Sequence, residues 1–433
     1  MVTLYSLLLF IVILVTLPLW IWRYFTTPKY RGTVLQRLGW GIRARAARPR
    51  IWIHAVSVGE TLAAQGLIQA LQRAHPDYEL VVSTVTKTGQ QIAQDKLTGI
   101  ALVFHLPIDL PWITRHVMRR IRPSLLLIME TELWPGLLAT ARERRVPVVI
   151  VNGRISPRSF ANYRRVRFFM RRFLSQVHLF VMQSPMDASR IQAIGVPQQR
   201  IRVSGNIKYD QALLRPNADA MRELHMLIGQ KPDEPVFLAA STHPGEEDII
   251  LHVFARLRDM RPTLRLILVP RHPERANAVA MMIQKHGFSV QLVSQSRGAW
   301  PDTVLLVDQV GWLTRLYAMA HLVFVGGSLI PHGGQNMLEP AGWGLPVTFG
   351  PHTFNFKDAV HLLVEAGAAL VVHNEEDLFL ACRRLLQEPD VWHQMGQKGR
   401  EVVAANSGAL ARTLQEITPL LEELRRAPSL PVA

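Results

Sequence analysis

The chain opens on an uncharged apolar run, Leu4 to Trp22, and then settles into a repeating rhythm. Short runs of β-branched and aliphatic residues alternate with longer segments whose apolar residues recur at helical spacing. "RIWIHAV", "ELVVSTVT", "IALVFHL", "SLLLIME", "VPVVIVN", "HLFVMQS" and "RIRVSGN" are the first series of strand candidates. Near-continuous apolar strands separated by helices predict a parallel sheet with crossover helices, because such a sheet is covered on both faces. From Gln211 to Glu234 the rhythm loosens, which predicts a linker, 211–234, with one helix. It restarts with "PVFLAAST", "LRLILVP", "FSVQLV", "TVLLVD", "HLVFVGGS", "LPVTFG" and "AALVVH". The expected fold class is α/β, with one domain over 30–210, a second over 235–405 and a cleft between them. Open α/β sheets bind ligands beyond the C-terminal ends of their strands, so the strand ends are where chemistry is expected.

The first run is long enough to cross a bilayer as a helix. A cleaved signal peptide would carry a basic segment before the run and a small-residue cleavage site after it, and neither is present. A core helix would not be apolar on every face. The expectation is a membrane anchor over 1–24, with Trp20, Trp22 and Tyr24 as an interfacial aromatic belt. Arg23, Lys29, Arg31, Arg37, Arg43, Arg45, Arg48 and Arg50 follow without an acid. The positive-inside bias then keeps this flank in the cytoplasm and points the N-terminus outward.

Composition narrows the partners. The chain has 433 residues, 48% of them hydrophobic, enough for two separate cores. A net charge of +16 favours an anionic partner. A single cysteine, Cys382, excludes an internal disulfide and suits a reducing compartment.

Several strand ends carry ionisable groups. In "IWIHAVSVGE" the strand is followed by Val58-Gly59, read as a tight turn, and by Glu60 opening a helix. A helix N-terminus favours a carboxylate there, so Glu60 is either a capping acid or a general base at a strand end. In "LIMETELWPG", Glu130 and Glu132 follow a core strand, where two carboxylates are costly unless paired or functional. A helix opening after Trp134-Pro135 gives Glu132 a structural reason to be there, and Glu130 less of one. "VSGNIKYD" places Lys208 after a strand, either as a solvated linker lysine or as a holder of a carboxylate or phosphate. "LVPRHPE" places Arg271 and His272 between a strand and a helix, an arrangement suited to phosphate. "FVGGSLIPHGGQNMLEPAGWGLP" is the densest stretch. Gly326, Gly327 and Ser328 are expected to let a ligand approach the backbone. Gly333 and Gly334 precede a helix expected to open at Gln335-Asn336, with Asn336 and Glu339 on one face. Ser57, Gly59 and Ser241 are further candidates beside these groups.

The sequence lacks the phosphate-binding lysine-serine loop, the dinucleotide glycine fingerprint after the first strand, and any metal-spaced Cys/His cluster. No Asp-x-Asp pair ends a strand, so no divalent metal is required. The stretch "SFANYRRVRFFMRRFL" reads as one helix interleaving Arg164, Arg165, Arg167, Arg171 and Arg172 with aromatic residues. It is either a packed helix with a solvated basic face or a contact for an anionic membrane surface. Beside a membrane anchor, a nucleic-acid partner is not expected.

Taken together, "HAVSVGE", "METELWP", "NGRIS", "GNIKYD", "STHPGEE", "LVPRHPER", "FVGGSL", "GGQNMLEP" and "GPHTFNFKD" resemble the Kdo transferases, the 3-deoxy-D-manno-octulosonic acid transferases of lipopolysaccharide synthesis. The motifs run in order from about Tyr30 to Gly408. The resemblance implies the glycosyltransferase B fold: two Rossmann-like domains facing across a cleft, with a C-terminal helix within 406–433 returning to the first domain. It implies CMP-Kdo as donor and lipid IVA, the tetra-acylated, bisphosphorylated precursor of lipid A, as acceptor, with no cofactor and no metal. It implies Glu60 as general base, and Glu130 and Lys208 as transition-state stabilisers, in a single inverting displacement that releases CMP. Pro270 and Arg271, Val310, Gly311 and Trp312, and Asn336, Met337, Leu338 and Glu339 match its nucleotide-binding segments. Arg154, in "NGRIS", joins the basic helix as a candidate for the acceptor and the membrane. The implied location is the cytoplasmic face of the bacterial inner membrane, on a single-pass anchor. The chain departs from the pattern at Trp312, where an acid is expected; an apolar or stacking contribution replaces it.

Two other readings compete. A related membrane-associated transferase would take a UDP-sugar, and comparing donors separates the two. A two-domain solute-binding protein also pairs α/β halves, but it needs export and leaves the strand-end carboxylates and lysine unexplained.

Overall fold

The computed structural model describes residues 2–26, 33–42, 48–216, 218–229, 234–296 and 304–426. Lys29, Arg31, Arg43 and Arg45 of the basic flank, parts of the 211–234 segment and the tail beyond Arg426 lie outside the described residues. Of Arg23 and Tyr24 only the backbone is described.

All fourteen strand candidates form strands. The first seven are β1 (Arg50–His54), β2 (Glu79–Thr84), β3 (Ala101–His105), β4 (Pro123–Met129), β5 (Val148–Gly153), β6 (Leu179–Met182) and β7 (Ile201–Val203). They make one parallel sheet in the order β3-β2-β1-β4-β5-β6-β7. The second seven are β8 (Val236–Thr242), β9 (Arg265–Pro270), β10 (Val290–Leu292), β11 (Val304–Leu306), β12 (Leu322–Val325), β13 (Val347–Phe349) and β14 (Ala369–Val371). Their order is β10-β11-β9-β8-β12-β13-β14, again parallel. In each sheet the order reverses beside the first strand, between β1 and β4 and between β8 and β12. Such a reversal leaves a crevice at the strand C-termini, because the crossovers on its two sides run to opposite faces.

The central strands are apolar on both faces because both are covered. Ile51 and Ile53 of β1 enter one core, with Leu67 and Leu71, and Trp52 enters the core on the opposite face, with Phe104 and Leu126. The helices begin where the chain supplies caps. Ser57, Thr86, Ser156, Ser184 and Asn374 accept hydrogen bonds from the first helical turn. Pro111, Pro135, Pro157, Pro185 and Pro389 occupy first-turn positions that need no N–H.

The chain divides into two compact units: residues through Ile207 together with those from Gly408 onward, and Lys208–Ser407. The Ala409–Arg426 helix belongs to the first unit and inserts Ile417 and Leu421 beside Leu67 and Ile68 of the Val58–Ala74 helix. The 211–234 stretch enters the core of the second unit. Ala212 on the Ile207–Ala212 helix, and Leu224 and Ile228 on the Ala218–Ile228 helix, are buried there, the last two stacked by their i,i+4 spacing. Ahead of the first sheet stand α1 (Val2–Thr26), which holds the long apolar run, and the short α2 (Val34–Arg37).

Candidate active site

In the first unit the sequence Ser57-x-x-Glu60 makes a capping box. The helix α3 (Val58–Ala74) starts two residues earlier than expected, so Val58-Gly59 is its first turn and not a separate tight turn. Ser57 is extended, and its hydroxyl accepts the Glu60 N–H. Glu60 folds back: Oε1 accepts from the Ser57 hydroxyl at 2.9 Å and Oε2 accepts the Val56 N–H at 2.8 Å. This geometry holds the carboxyl beside the C-terminus of β1 with only 6% of the residue exposed. Burial pushes its pKa up to about 7, and the charges of Glu130 and Glu132 push in the same direction against the two hydrogen bonds. A carboxyl that titrates near neutral pH suits a general base or acid, because the same group takes and releases a proton readily.

Glu130 ends β4, the neighbour of β1 at the reversal. Its φ is +55°, a left-handed conformation that costs a non-glycine residue about 1 kcal/mol or more. The turn is held by its N–H on the Val151 carbonyl and by an ion pair between Glu130 Oε2 and Arg154 Nε at 2.8 Å. Arg154, approached above as a contact for the acceptor or the membrane, is thus the partner of Glu130. Glu132 lies nearby, its carboxyl raised by burial first and by Glu130 second. The Pro135–Glu143 helix does open after Trp134, but Asp109 caps it, accepting the Gly136 and Leu137 N–H groups at 2.8 and 2.7 Å. The structural reason offered for Glu132 therefore belongs to Asp109.

The sequence reading passed over Asn152. It ends β5 next in line, fully buried, with φ +55°; its Oδ1 accepts the Ile207 N–H and its Nδ2 has no partner among the described residues. The available signal was an asparagine-glycine pair closing an apolar strand, since asparagine tolerates the left-handed region.

In the second unit Lys208 lies on the Ile207–Ala212 helix, with its ammonium 5.9 Å from the centroid of Phe356 in "GPHTFNFKD". Beside the reversal between β8 and β12, Ser241 is a third strand-end residue in the left-handed region, at φ +56°. His243 follows, 3% exposed. Its ring lies 4.1 Å from that of His332 and 5.9 Å from that of His272, and its Nε2 is 3.2 Å from Gln335 Nε2. Burial, then His332, His272, Arg271 and Arg275, drive its pKa down to about 4. Such a group stays neutral first because it is buried and then because positive charge lies near it, and the arginines among those neighbours are what would attract an anion. Arg275 is already engaged by the buried Glu247 at 2.8 Å, whereas Arg271 follows Pro270 directly at the end of β9.

The glycine-rich stretch departs from expectation in two places. Gly326, Gly327 and Ser328 do not offer open backbone to a ligand. The N–H groups of Gly327, Ser328 and Leu329 all point at the carboxylate of the fully buried Glu246, at 2.7, 3.0 and 3.0 Å, and the His243 N–H joins them at 3.0 Å. The Ser328 hydroxyl is likewise used inside the fold, between the Val325 carbonyl and the Gly350 N–H. The second difference is the helix start. It spans Leu338–Trp343, so Gln335 and Asn336 precede it. Asn336 Oδ1 accepts the Leu338 N–H and its Nδ2 donates to Glu339 Oε1 at 2.9 Å. Asn336 and Glu339 are therefore bonded to each other, and burial holds the Glu339 carboxyl above its usual range. Met337 and Leu338 are core residues. Gly333 takes φ +98°, a conformation that L side chains rarely adopt, and a Cβ there would also force the Asn355 and Phe354 side chains to shift.

Val310 is exposed and Gly311 takes φ +94°. Trp312 lies partly against the core, with Nε1 donating to Gln309 and Arg315 stacked 5.8 Å above its ring. The basic-aromatic stretch is two helices, Pro157–Arg165 and Arg167–Leu174, broken at Val166, where ψ swings to +30°. Its five arginines are exposed, as are Phe168 and Phe169, and Leu174 anchors it in the core.

Residues 33–211 match the family described as 3-deoxy-D-manno-octulosonic-acid transferase (kdotransferase). Over 402 residues the chain is 37% identical to the 3-deoxy-D-manno-octulosonic acid transferase of Haemophilus influenzae, covering 92% of this chain and 93% of that one. The transferase of the same name from Bordetella pertussis is 35% identical over 415 residues, covering 92% and 95%. Among solved structures, UDP-GlcNAc 2-epimerase from Neisseria meningitidis, bound to UDP-GlcNAc, superposes with a TM-score of 0.58 at 14% identity, over 86% of this chain and 100% of that one. That likeness speaks to the fold alone.

Proposed function

The chain belongs to the 3-deoxy-D-manno-octulosonic acid (Kdo) transferase family, and from that membership we propose that it moves Kdo from CMP-Kdo to lipid IVA in one inverting displacement that releases CMP. It is a glycosyltransferase of lipopolysaccharide biosynthesis with the glycosyltransferase B fold, taking CMP-Kdo as donor and a glycolipid as acceptor. The observation that carries the finer reading is Glu60: a buried carboxyl, titrating near 7, held beside the sheet reversal next to two other carboxyl groups.

In this reading Glu60 takes the proton of the acceptor sugar hydroxyl as that oxygen attacks the anomeric carbon of Kdo. A sugar hydroxyl is a poor nucleophile, and a positioned base is worth about 10²–10⁴-fold. Glu130, oriented by Arg154, and Lys208 stabilise the charge that develops as the bond to CMP breaks. Pro270 and Arg271, Val310 to Trp312, and Asn336 to Glu339 hold the nucleotide. The cationic surroundings of His243 favour the phosphate and the sugar carboxylate, and charge stabilisation of this kind does not call for a metal. No cofactor takes part. The helix α1 holds the enzyme at the cytoplasmic face of the inner membrane. The arginines at 164, 165, 167, 171 and 172, beside exposed Phe168, meet the anionic lipid surface where the acceptor lies.

Mass analysis of the product from purified enzyme, CMP-Kdo and lipid IVA tests this reading. The expected result is addition of Kdo mass with release of CMP, unchanged by EDTA. Transfer from a UDP-sugar and none from CMP-Kdo would overturn the donor assignment. Loss of activity in EDTA, restored by magnesium, would overturn metal independence.

A further inference from the structure

The basic flank that follows α1 predicts an N-terminus on the far side of the membrane, yet the structure ties that end of the helix to the α/β unit. The Tyr5 hydroxyl bonds the carboxyl of Asp109, the residue that caps the Pro135–Glu143 helix. Ser6 is 7% exposed, and Phe10 packs edge-on against Trp112 with ring centroids 6.0 Å apart. Thr3 and Ser6 line a small cavity with Trp112, Arg115, Thr140 and Glu143. These partners belong to an aqueous domain: Arg115 and Glu143 form an exposed ion pair at 2.8 Å.

A helix rises about 1.5 Å per residue, so Tyr5 and Trp22 are roughly 25 Å apart, close to the thickness of the hydrocarbon layer. If α1 crossed that layer with its N-terminus outward, Thr3 to Phe10 would stand at the far interface. They could not then touch Asp109, Trp112 and Glu143 without drawing those charged helices into lipid, at a cost of several kcal/mol per unpaired charge. The downstream end is tied to the same unit. In α2, Arg37 donates to the Val85 carbonyl at 2.6 Å, Gln36 Oε1 accepts the His105 N–H, and the Arg37 carbonyl accepts the Ile108 N–H. Between these ties the helix is largely exposed: Leu14, Val15 and Trp22 are all more than half exposed.

We infer that α1 is a monotopic element: it enters the near leaflet and leaves it on the same face, so the N-terminus lies on the side of the catalytic domains. The inference rests on the membrane placement proposed above and replaces the single-pass, N-out topology expected from the sequence. Its partner is the acyl region of one leaflet, which the all-round apolar surface of residues 11–22 suits better than water.

The natural cysteine, Cys382, is buried, so introduced cysteines report cleanly. Full-length Thr3→Cys and Gln198→Cys, the second on the exposed surface of the first unit, are each placed in a Gram-negative inner membrane. They are treated with a membrane-impermeant maleimide in spheroplasts and in inverted vesicles. Both should label in inverted vesicles and neither in spheroplasts. Labelling of Thr3→Cys from the periplasmic side, with Gln198→Cys labelled only from the cytoplasmic side, overturns the inference. Labelling of both from the periplasmic side overturns the cytoplasmic placement instead and leaves the shared sidedness standing. A second measurement guards against a poorly reactive Thr3→Cys. The Phe10→Cys/Trp112→Cys pair, whose rings pack edge-on in the native protein, should be joined in membranes by a bis-maleimide cross-linker long enough to span the space those rings fill, and failure to cross-link counts against docking. A fluorophore on Val15→Cys should be quenched by brominated acyl chains; a water-like, unquenched emission would remove the leaflet from the account.

Discussion

The two sheets reverse their strand order in the same way, yet the residues beside the two reversals have opposite electrostatics. After β1 and β4 stand Glu60, Glu130 and Glu132, with two of the three carboxyl groups raised by burial and mutual repulsion. After β8 and β9 stand His243, Arg271 and His272, with His332 packed against them, and the His243 imidazole is driven down first by burial and then by the histidines and arginines around it. In the function proposed above, the acidic strand ends of one unit take a proton and the basic strand ends of the other attract an anion. A transfer reaction needs both: a base for the incoming hydroxyl, and positive charge for the departing phosphate.

The sharpest break in this comparison is Glu60→Gln. Glutamine can still accept the Val56 N–H through its one oxygen, and its amide nitrogen donates to the Ser57 hydroxyl where the carboxylate accepted, but it cannot take a proton, so turnover should fall about a hundredfold or more while CMP affinity is kept. Near-normal turnover would reduce the acidic site to a structural cap. On the other side, Glu246→Ala removes the one carboxylate that four backbone N–H groups share. It should lower the stability of the second unit by about 3 kcal/mol or more, read as a lower melting temperature, because buried donors left unpaired each cost about 1–3 kcal/mol. An unchanged melting curve would mean that water replaces the carboxylate without loss.

Arg271→Ala should weaken CMP binding, measured by calorimetry, by roughly 1.5–3 kcal/mol, the range for a charged hydrogen bond. Unaltered affinity would move the anion site elsewhere. The smallest effect is a shift in pH profile. Glu60 must be deprotonated to act as a base, so kcat/KM should rise as the pH climbs through about 7. Glu130→Gln removes a like charge and should move that rise to lower pH, legible on whatever rate remains. An acidic limb that stays in place would show that the Glu130 charge does not act on Glu60.

Much of the fold was legible because its signals are local. Five-residue apolar runs such as the "LLLIM" of "SLLLIME" read as central strands when helices separate them, and Ser57, Pro135 and Pro157 announce helix starts by their own chemistry. The strand-end residues of the site were legible for the same reason: a polar group closing an apolar run stands out wherever the chain leads afterwards. What escaped depended on partners distant in sequence. Asp109 caps a helix 27 residues away, so Glu132 seemed to have a reason that was not its own. Glu246 faces N–H groups more than 80 residues away, so a glycine-rich turn read as open to ligand is closed by a carboxylate. The break at Val166 went unseen because helical periodicity survives a change of a single ψ.

The sequence by itself determined two parallel α/β units, the identity of the strand-end groups and the apolar character of α1, because periodicity and residue type act over a few positions. Only the tertiary structure decided which carboxyl groups sit close enough to raise one another, which backbone donors are already taken, and which end of α1 meets the domain. Those properties arise from through-space Coulomb forces, burial and hydrogen-bond pairing, and these depend on distances that the order of residues along the chain does not contain.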